Sequence, residues 1–291
     1  MNRITLISPR LFITLIIAVI VPTLASSAAP ANRVQAKLVA DVQSIAAGDT
    51  FRLGVLLKLP DRAHVYWRNP GDSGLATGIE WRLPEGVEVS AAQWPNPKRF
   101  QIEGLDDVNY GYEKETLIFA NVTFESDAAD TESLIIVARA YWLLCLDDGE
   151  CIPEEVELAI TIPIVIETRR SDDLHRFESY AARVPKPLAE FQGELQCSTV
   201  KPYLWINLRP PLQAIGSFDS EEAAFFPDAG PSWGRILPSL EVGSPKAAFH
   251  RDGPDPPEAG GMHVLPKGVL TLPVGDPRTN EVLIKYIRFD E

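Results

Sequence analysis

Apolar and polar positions alternate with a period of two from just past the first thirty residues. Val34, Ala36, Leu38 and Ala40 form one run, and Phe51, Leu53, Val55, Leu57 and Leu59 form another, with a turn at Ala46–Asp49 between them. The pattern continues through Gly78–Val89, Glu115–Phe124 and Leu134–Leu144, and Val156, Leu158, Ile160, Ile162 and Ile164 alternate strictly. Such runs predict half-buried antiparallel strands, and about seven of them in about 135 residues predict a β-sandwich. The period then changes. Leu174, Phe177, Tyr180 and Ala181 stand at helical spacing within Ser171–Val184, with Ser171 placed as N-cap, Asp172 and Asp173 in the first turn, and Pro185–Pro187 as the stop. Beyond it, YLWINLRP, VLTLPV and EVLIKYIRF read as strands and Gly253–Gly261 as a loop. The chain is therefore expected to be mostly β. A sandwich occupies residues 29–168, a linker helix 169–187, and a second, smaller β-rich domain 188–291.

Composition agrees with this picture. The 25 prolines and 19 glycines break the chain into short elements, and 45% apolar residues suffice for a core. At the N-terminus, Arg3 and Arg10 precede an apolar run, Leu11–Leu24, and the small residues Ala25–Ala29. The run is short for a bilayer span, so residues 1–28 read as a secretory signal peptide. No later segment reaches membrane-spanning length, so no membrane span is expected in the mature chain. Net charge is −13, and loss of residues 1–28 with their two arginines and no acids makes it −15. That excess disfavours nucleic acid and anionic membrane surfaces as partners.

Export permits disulfides. Of the three cysteines, Cys145 and Cys151 are separated by five residues around the hairpin dipeptide Asp148-Gly149. The strands that flank this turn would bring the two thiols together at the mouth of a hairpin, close enough to bridge. Three readings compete. A structural disulfide closing so short a loop contributes only about 2 kcal/mol. A zinc site is disfavoured, because the spacing is unusual and no Cys or His lies nearby in sequence to complete a tetrahedron. A redox pair would open and close by thiol–disulfide exchange. Spacing alone does not choose between staple and redox pair. Asp147, Asp148, Glu150, Glu154 and Glu155 crowd the cysteines, and negative neighbours disfavour a thiolate. That setting suits a pair that stays quiet until a partner docks. Cys197 is the odd cysteine and reads as a buried, inert thiol.

The run CLDDGECIPEE, Cys145–Glu155, resembles the active-site segment in the N-terminal domain of DsbD-type thiol:disulfide interchange proteins. HVYWRNPGDSGLATGIEW, His64–Trp81, is similar to the aromatic-rich strand and loop of the Scs-type (suppressor of copper sensitivity) branch. VNYGYEKETLIF, Val108–Phe119, is similar to that family's cap segment and following strand. The resemblance spans about residues 34–165 and implies an immunoglobulin-like sandwich, a periplasmic location and no cofactor beyond the disulfide itself. It also implies an electron relay from a membrane-embedded thiol reductase to thioredoxin-like periplasmic proteins. By the same resemblance Cys151 forms the mixed disulfide and Cys145 resolves it. Residues 106–112, including Asp107, Val108, Asn109, Tyr110 and Tyr112, would shield the pair. No Cys-x-x-Cys and no membrane helices follow, so another protein is expected to supply electrons.

Other residues read more plainly. Tyr66, Trp67, Trp81 and Trp94 read most simply as core or rim aromatics of a sandwich, the alternative being a docking platform beside the cysteines. NPGDSG, Asn69–Gly74, is rich in turn formers and reads equally as a plain surface loop or a partner-contact loop, and its GDSG lacks the strand and His/Asp context of a serine nucleophile. His64 reads as a surface or satisfied core histidine, the alternative being a residue that touches the active site. His175, His250 and His263 are scattered, and Met262-His263 is thin support for copper. The rival to exchange is a non-enzymatic binding module, two β-sandwiches holding a protein or glycan with a structural disulfide.

Overall fold

The computed structural model describes residues 33–101, 107–125, 132–191, 193–200, 203–209, 213–214, 224–228, 246–250, 267–276 and 281–289. The expected signal peptide, Asp106, the Gly253–Gly261 loop and Met262-His263 lie outside them.

In chain order the strands of the N-terminal sandwich part are β1 (Gln35–Ala40), β2 (Val42–Ser44), β3 (Thr50–Lys58), β4 (Ala63–Gly71), β5 (Gly78–Arg82) and β6 (Val87–Val89). They continue with β7 (Lys98–Gln101), β8 (Val108–Glu113), β9 (Glu115–Phe124), β10 (Ser133–Leu146), β11 (Cys151–Pro163) and β12 (Arg169–Arg170). One sheet has the order β1-β3-β9-β6; the facing sheet has the order β11-β10-β4-β8-β7, with β5 also on β10. Their inner faces meet in a single cluster that includes Leu53, Val55, Val65, Trp67, Tyr110, Val122, Ile136, Trp142 and Leu144. The expected mostly-β sandwich is what the chain forms. The run Gly78–Val89 is two strands, however. β5 pairs with β10 and β6 with β9, so the chain changes sheets around Leu83–Gly86, where Pro84 has no N–H to give a ladder.

The helix is α1 (Leu174–Ala181). Phe177 and Tyr180 lie against Val39, Leu56, Leu117 and Phe119, on the outer face of the first sheet. That sheet is thus covered on both sides, and β3 and β9 are buried over consecutive positions where alternation predicted half-buried strands. Ser171 does not cap the helix. Its hydroxyl donates to Ala40 O and accepts the Asp173 N–H, tying the incoming chain to β1, while Asp173 stands at the N-cap position.

The remainder forms β13 (Lys186–Pro187), β14 (Leu195–Val200), β15 (Tyr203–Leu208), β16 (Gln213–Ala214), β17 (Ala224–Pro227), β18 (Lys246–His250), β19 (Gly268–Asp276) and β20 (Glu281–Phe289). The three strand candidates read from this part of the sequence are β15, β19 and β20. A five-stranded sheet, β13-β20-β19-β16 with β17 on β19, accompanies a three-stranded sheet, β14-β15-β18. Asn32–Glu291 makes one compact unit, and Phe226 and Val269 of the second sheet system belong to the same buried cluster as the sandwich core.

Phe177 is fully buried, edge-on to Phe119 at 5.7 Å, with the Arg52 guanidinium 5.3 Å from its ring centroid. Truncating it opens a cavity under α1, so Phe177→Ala is expected to destabilise the protein by about 3–5 kcal/mol in urea unfolding. A loss below about 1 kcal/mol would mean the helix is not anchored there.

Candidate active site at the Cys145–Cys151 pair

Strands β10 and β11 pair without a bulge from Ser133 opposite Pro163 to Cys145 opposite Cys151. The strands therefore run up to the cysteines, past the ends expected at Leu144 and Val156. The turn closes with Gly149 N donating to Leu146 O (3.0 Å) and Leu146 N donating to Glu150 O (2.8 Å). Gly149 has φ +89°, the left-handed conformation that this type of hairpin needs after its turn. The two sulfurs are joined as a disulfide, with a Cα–Cα distance of 4.1 Å.

Burial along β10 explains what surrounds the bond. Leu134, Ile136, Ala138, Ala140, Trp142 and Leu144 are buried at every second position, as a strand with one core face should be. Cys145 follows Leu144 and points to the opposite face, yet it is only 2% exposed. It is covered from β4. Cys145 pairs with His64, and Tyr66, two residues along, donates its hydroxyl to Cys145 Sγ at 3.3 Å. The His64 ring stacks on Phe100 of β7 at 4.9 Å and meets the Tyr66 ring edge-on at 5.2 Å. Cys151 is exposed. One sulfur is thus sealed under aromatic rings while the other faces solvent.

The acidic surroundings are weaker than the sequence suggests. Asp147 is paired with Arg62 at 2.9 Å, and Glu155 with Arg139 at 2.7 Å. Glu154 is turned inward, accepting the Trp142 indole N–H at 2.9 Å and pairing with Arg33 at 3.4 Å. Burial raises the Tyr66 phenol above its usual value, so it remains a donor at neutral pH. Burial lowers the His64 imidazole, against the opposing pull of Glu113 and Asp147, and its Nε2 has no hydrogen-bond partner among the described residues.

The structure brings Cys145, Cys151 and Tyr66 together. It places Trp67, Val108, Tyr110 and Tyr112 in the sandwich core, with the Tyr112 hydroxyl donating to Pro95 O at 2.7 Å. Asn109 is buried and accepts from Ser73 N (3.2 Å) and Ser73 Oγ (3.1 Å), while Asp107 is half-buried just before β8. On this side of the sheet Tyr66 reaches Cys145 Sγ, His64 stands opposite Cys145 in the ladder, and Phe100 stacks on His64. Phe100 is a single aromatic in the four-residue strand KRFQ and carries no pattern that marks it. The unbroken apolar run Trp142–Cys145 is a signal that could have been used, because a strand end with no polar residue must be covered on both faces. Cys197, expected to be buried and inert, is half-buried, and burial pushes its thiol up to about 12. No group of three or more His, Cys, Asp or Glu among the described residues could hold a metal ion.

Residues 32–163 match the family model described as thiol:disulfide interchange protein DsbD, N-terminal. The resemblance read from the sequence holds over that stretch, which carries both cysteines. That family works by cysteine redox chemistry without a cofactor, so thiol:disulfide exchange is supported at the level of the family. The N-terminal periplasmic domain of ScsB from Proteus mirabilis is similar in structure, with 17% identity, 90% of this chain and 95% of that chain covered, and a TM-score of 0.55. At that identity the likeness is one of fold, and it extends past the sandwich. The DsbD N-terminal domain of Neisseria meningitidis in the reduced form, 16% identical over 46% of this chain and 90% of its own, has a TM-score of 0.23 and carries no argument. No curated protein matches the chain. No helix of the described residues is long and apolar enough to cross a membrane.

His64 gives the site a pH signature. Its folded pKa lies below the ordinary 6.5, so the unfolded chain binds the proton first as pH falls. Stability from this group is intact above about 6.5 and is lost as pH drops from there toward the lower folded value. His64→Gln is expected to lose less stability than the unaltered protein between about pH 7.5 and about pH 5 in paired urea titrations. Identical losses would show that His64 titrates alike in both states.

Proposed function

We propose, from a sandwich that matches the DsbD N-terminal family over residues 32–163, that the chain is a periplasmic thiol:disulfide exchange protein whose Cys145–Cys151 pair relays electrons from a membrane-embedded thiol reductase to thioredoxin-like proteins. The observation that carries this reading is the asymmetry of the disulfide, with Cys151 open to solvent and Cys145 held under the Tyr66 hydroxyl.

An incoming thiolate of the reductase attacks Cys151 Sγ. The Cys145–Cys151 bond breaks, and its electron pair leaves on Cys145 Sγ, where the Tyr66 O–H already points and can stabilise the developing charge. The second thiolate of the reductase then displaces Cys151. The reductase is left oxidised and the pair reduced, two electrons and two protons having moved. In the second half, the Cys151 thiolate attacks the disulfide of a thioredoxin-like partner, and Cys145 resolves the mixed disulfide. Solvent access makes Cys151 the sulfur that a partner can reach in line. Cys145 cannot be approached without displacing the rings over it. The export signal read at residues 1–28 supports the periplasmic assignment.

In a Cys197→Ser background, titration against glutathione and dithiothreitol is expected to give a reduction potential of about −120 to −270 mV, the range of exchange proteins. A value below about −300 mV would mark a structural staple and support the binding-module reading. Separately, Cys145→Ser is expected to accumulate a mixed disulfide with a thioredoxin-like disulfide protein through Cys151, visible as a reducible band on electrophoresis. Cys151→Ser should form none. Equal trapping by both variants would remove the assigned division of labour.

A further inference from the structure

The turn Asn69–Gly74 lies between the second domain and the ring that covers Cys145, and it is held on both sides. From the second domain, the end of β17 and the residue after it, Phe226 to Asp228, reach the sandwich. The Phe226 ring meets Tyr110 edge-on at 5.2 Å and Trp67 at 6.4 Å. The Pro227 carbonyl accepts the Asn69 side-chain N–H at 2.7 Å, and Asp228 binds Arg68 at 2.5 Å while it also holds Arg288 of β20. Asn69 is 7% exposed, and its Oδ1 accepts the Gly71 N–H at 3.2 Å, so one side chain couples β17 to the start of the turn.

The turn is then clamped to β8. Asp72 N donates to Val108 O (3.0 Å), Asp72 Oδ2 accepts Val108 N (2.9 Å), and Asn109 Oδ1 takes both donors of Ser73. Its last residue, Gly74, has φ +91° and lies flat on the Tyr66 ring, where a Cβ would overlap ring atoms Cε1 and Cζ. Thr77 Oγ1 donates to Tyr66 O at 2.6 Å. Tyr66 is therefore fixed at its ring by the turn, at its backbone by Thr77, and at its hydroxyl by Cys145 Sγ.

We infer that the second domain is a strut that holds the Asn69–Gly74 turn against Tyr66 and so sets how readily the Cys145–Cys151 disulfide exchanges, with Asn69 and Asp228 as its positioning residues. The inference rests on the exchange function proposed above. Tyr66 can stabilise a departing Cys145 thiolate only while its O–H is aimed at the sulfur, and in a packed core a small displacement of the turn alters that aim. From Asp228 and Pro227 the contacts run through Arg68, Asn69 and the turn to Tyr66, whose hydroxyl is the group on Cys145 Sγ.

The test uses the full chain in the Cys197→Ser background. Asn69→Ala is expected to change the equilibrium constant with glutathione, and the rate of opening by dithiothreitol, by at least about threefold, because the residues it links are coupled through one network. Added to Tyr66→Phe, the same substitution should change neither by more than about 1.5-fold, since the route through the hydroxyl is already gone. Asp228→Asn, which keeps shape and removes the charge that holds Arg68 and Arg288, is expected to act in the same direction and provides a second variant should Asn69→Ala fail to fold. If the variants lower the unfolding midpoint but leave both redox constants unchanged, the strut is structural only and the inference is overturned. An equal change with and without Tyr66 overturns the route. A disulfide that glutathione cannot open even in the unaltered protein overturns the inference together with the exchange reading, and is distinguishable because it needs no variant.

Discussion

The whole site depends on the register of β10 against β11. Side chains in a strand alternate faces, so a slip of one residue would turn the core row Leu134, Ile136, Ala138, Ala140, Trp142 and Leu144 outward. Burying that row fixes the pairing, and the pairing puts Cys145 opposite Cys151. The disulfide is a consequence of hydrophobic burial along a long hairpin rather than its cause. The same parity that sends Leu144 into the sandwich sends Cys145 out of it, and β4, in register with β10 at Cys145 and His64, supplies the cover.

That placement also decides the electrostatics. Five acids surround the cysteines in sequence, but alternation separates them in space. Glu154 falls on the inward face, where its Oε2 accepts the Trp142 indole N–H, while Asp147 and Glu155 stay outside and find Arg62 and Arg139. The exposed ion pairs add little to stability, yet they partly neutralise the field that the sequence suggests. What acts on Cys145 at short range is a neutral phenol, kept protonated by burial and directed at sulfur.

Much of this was legible in the sequence, for physical reasons. Period two is forced on any strand with one buried face, so β1, β3, β9, β10 and β11 could be read directly, as could the Asp148-Gly149 hairpin that joins the cysteines. The failures occur where a second layer intervenes. β3 and β9 are buried on both faces because α1 covers the outer one, and an amphipathic helix does not announce which sheet it will cover. Gly78–Val89 reads as one strand because both halves alternate, although each half belongs to a different sheet. The immediate surroundings of Cys145 were legible only in part. Tyr66 stood out within an aromatic cluster, but Phe100 and the Pro227–Asn69 contact come from segments distant in sequence with no periodicity of their own.

The energetics suit the exchange function proposed for the pair. Closing so short a loop constrains the unfolded chain by only about 2 kcal/mol, and the flanking ladder from Ser133–Pro163 to Leu144–Ile152 is set by core burial whether or not the sulfurs are joined. In the proposed exchange, opening the bond is expected to leave the hairpin its register, which core burial sets. A pair meant to cycle between two redox states needs a frame that is indifferent to which state it is in. A hairpin zipped by Leu, Ile and Trp provides one, and it confines the change on reduction to two sulfurs, one phenol and the turn that steadies it.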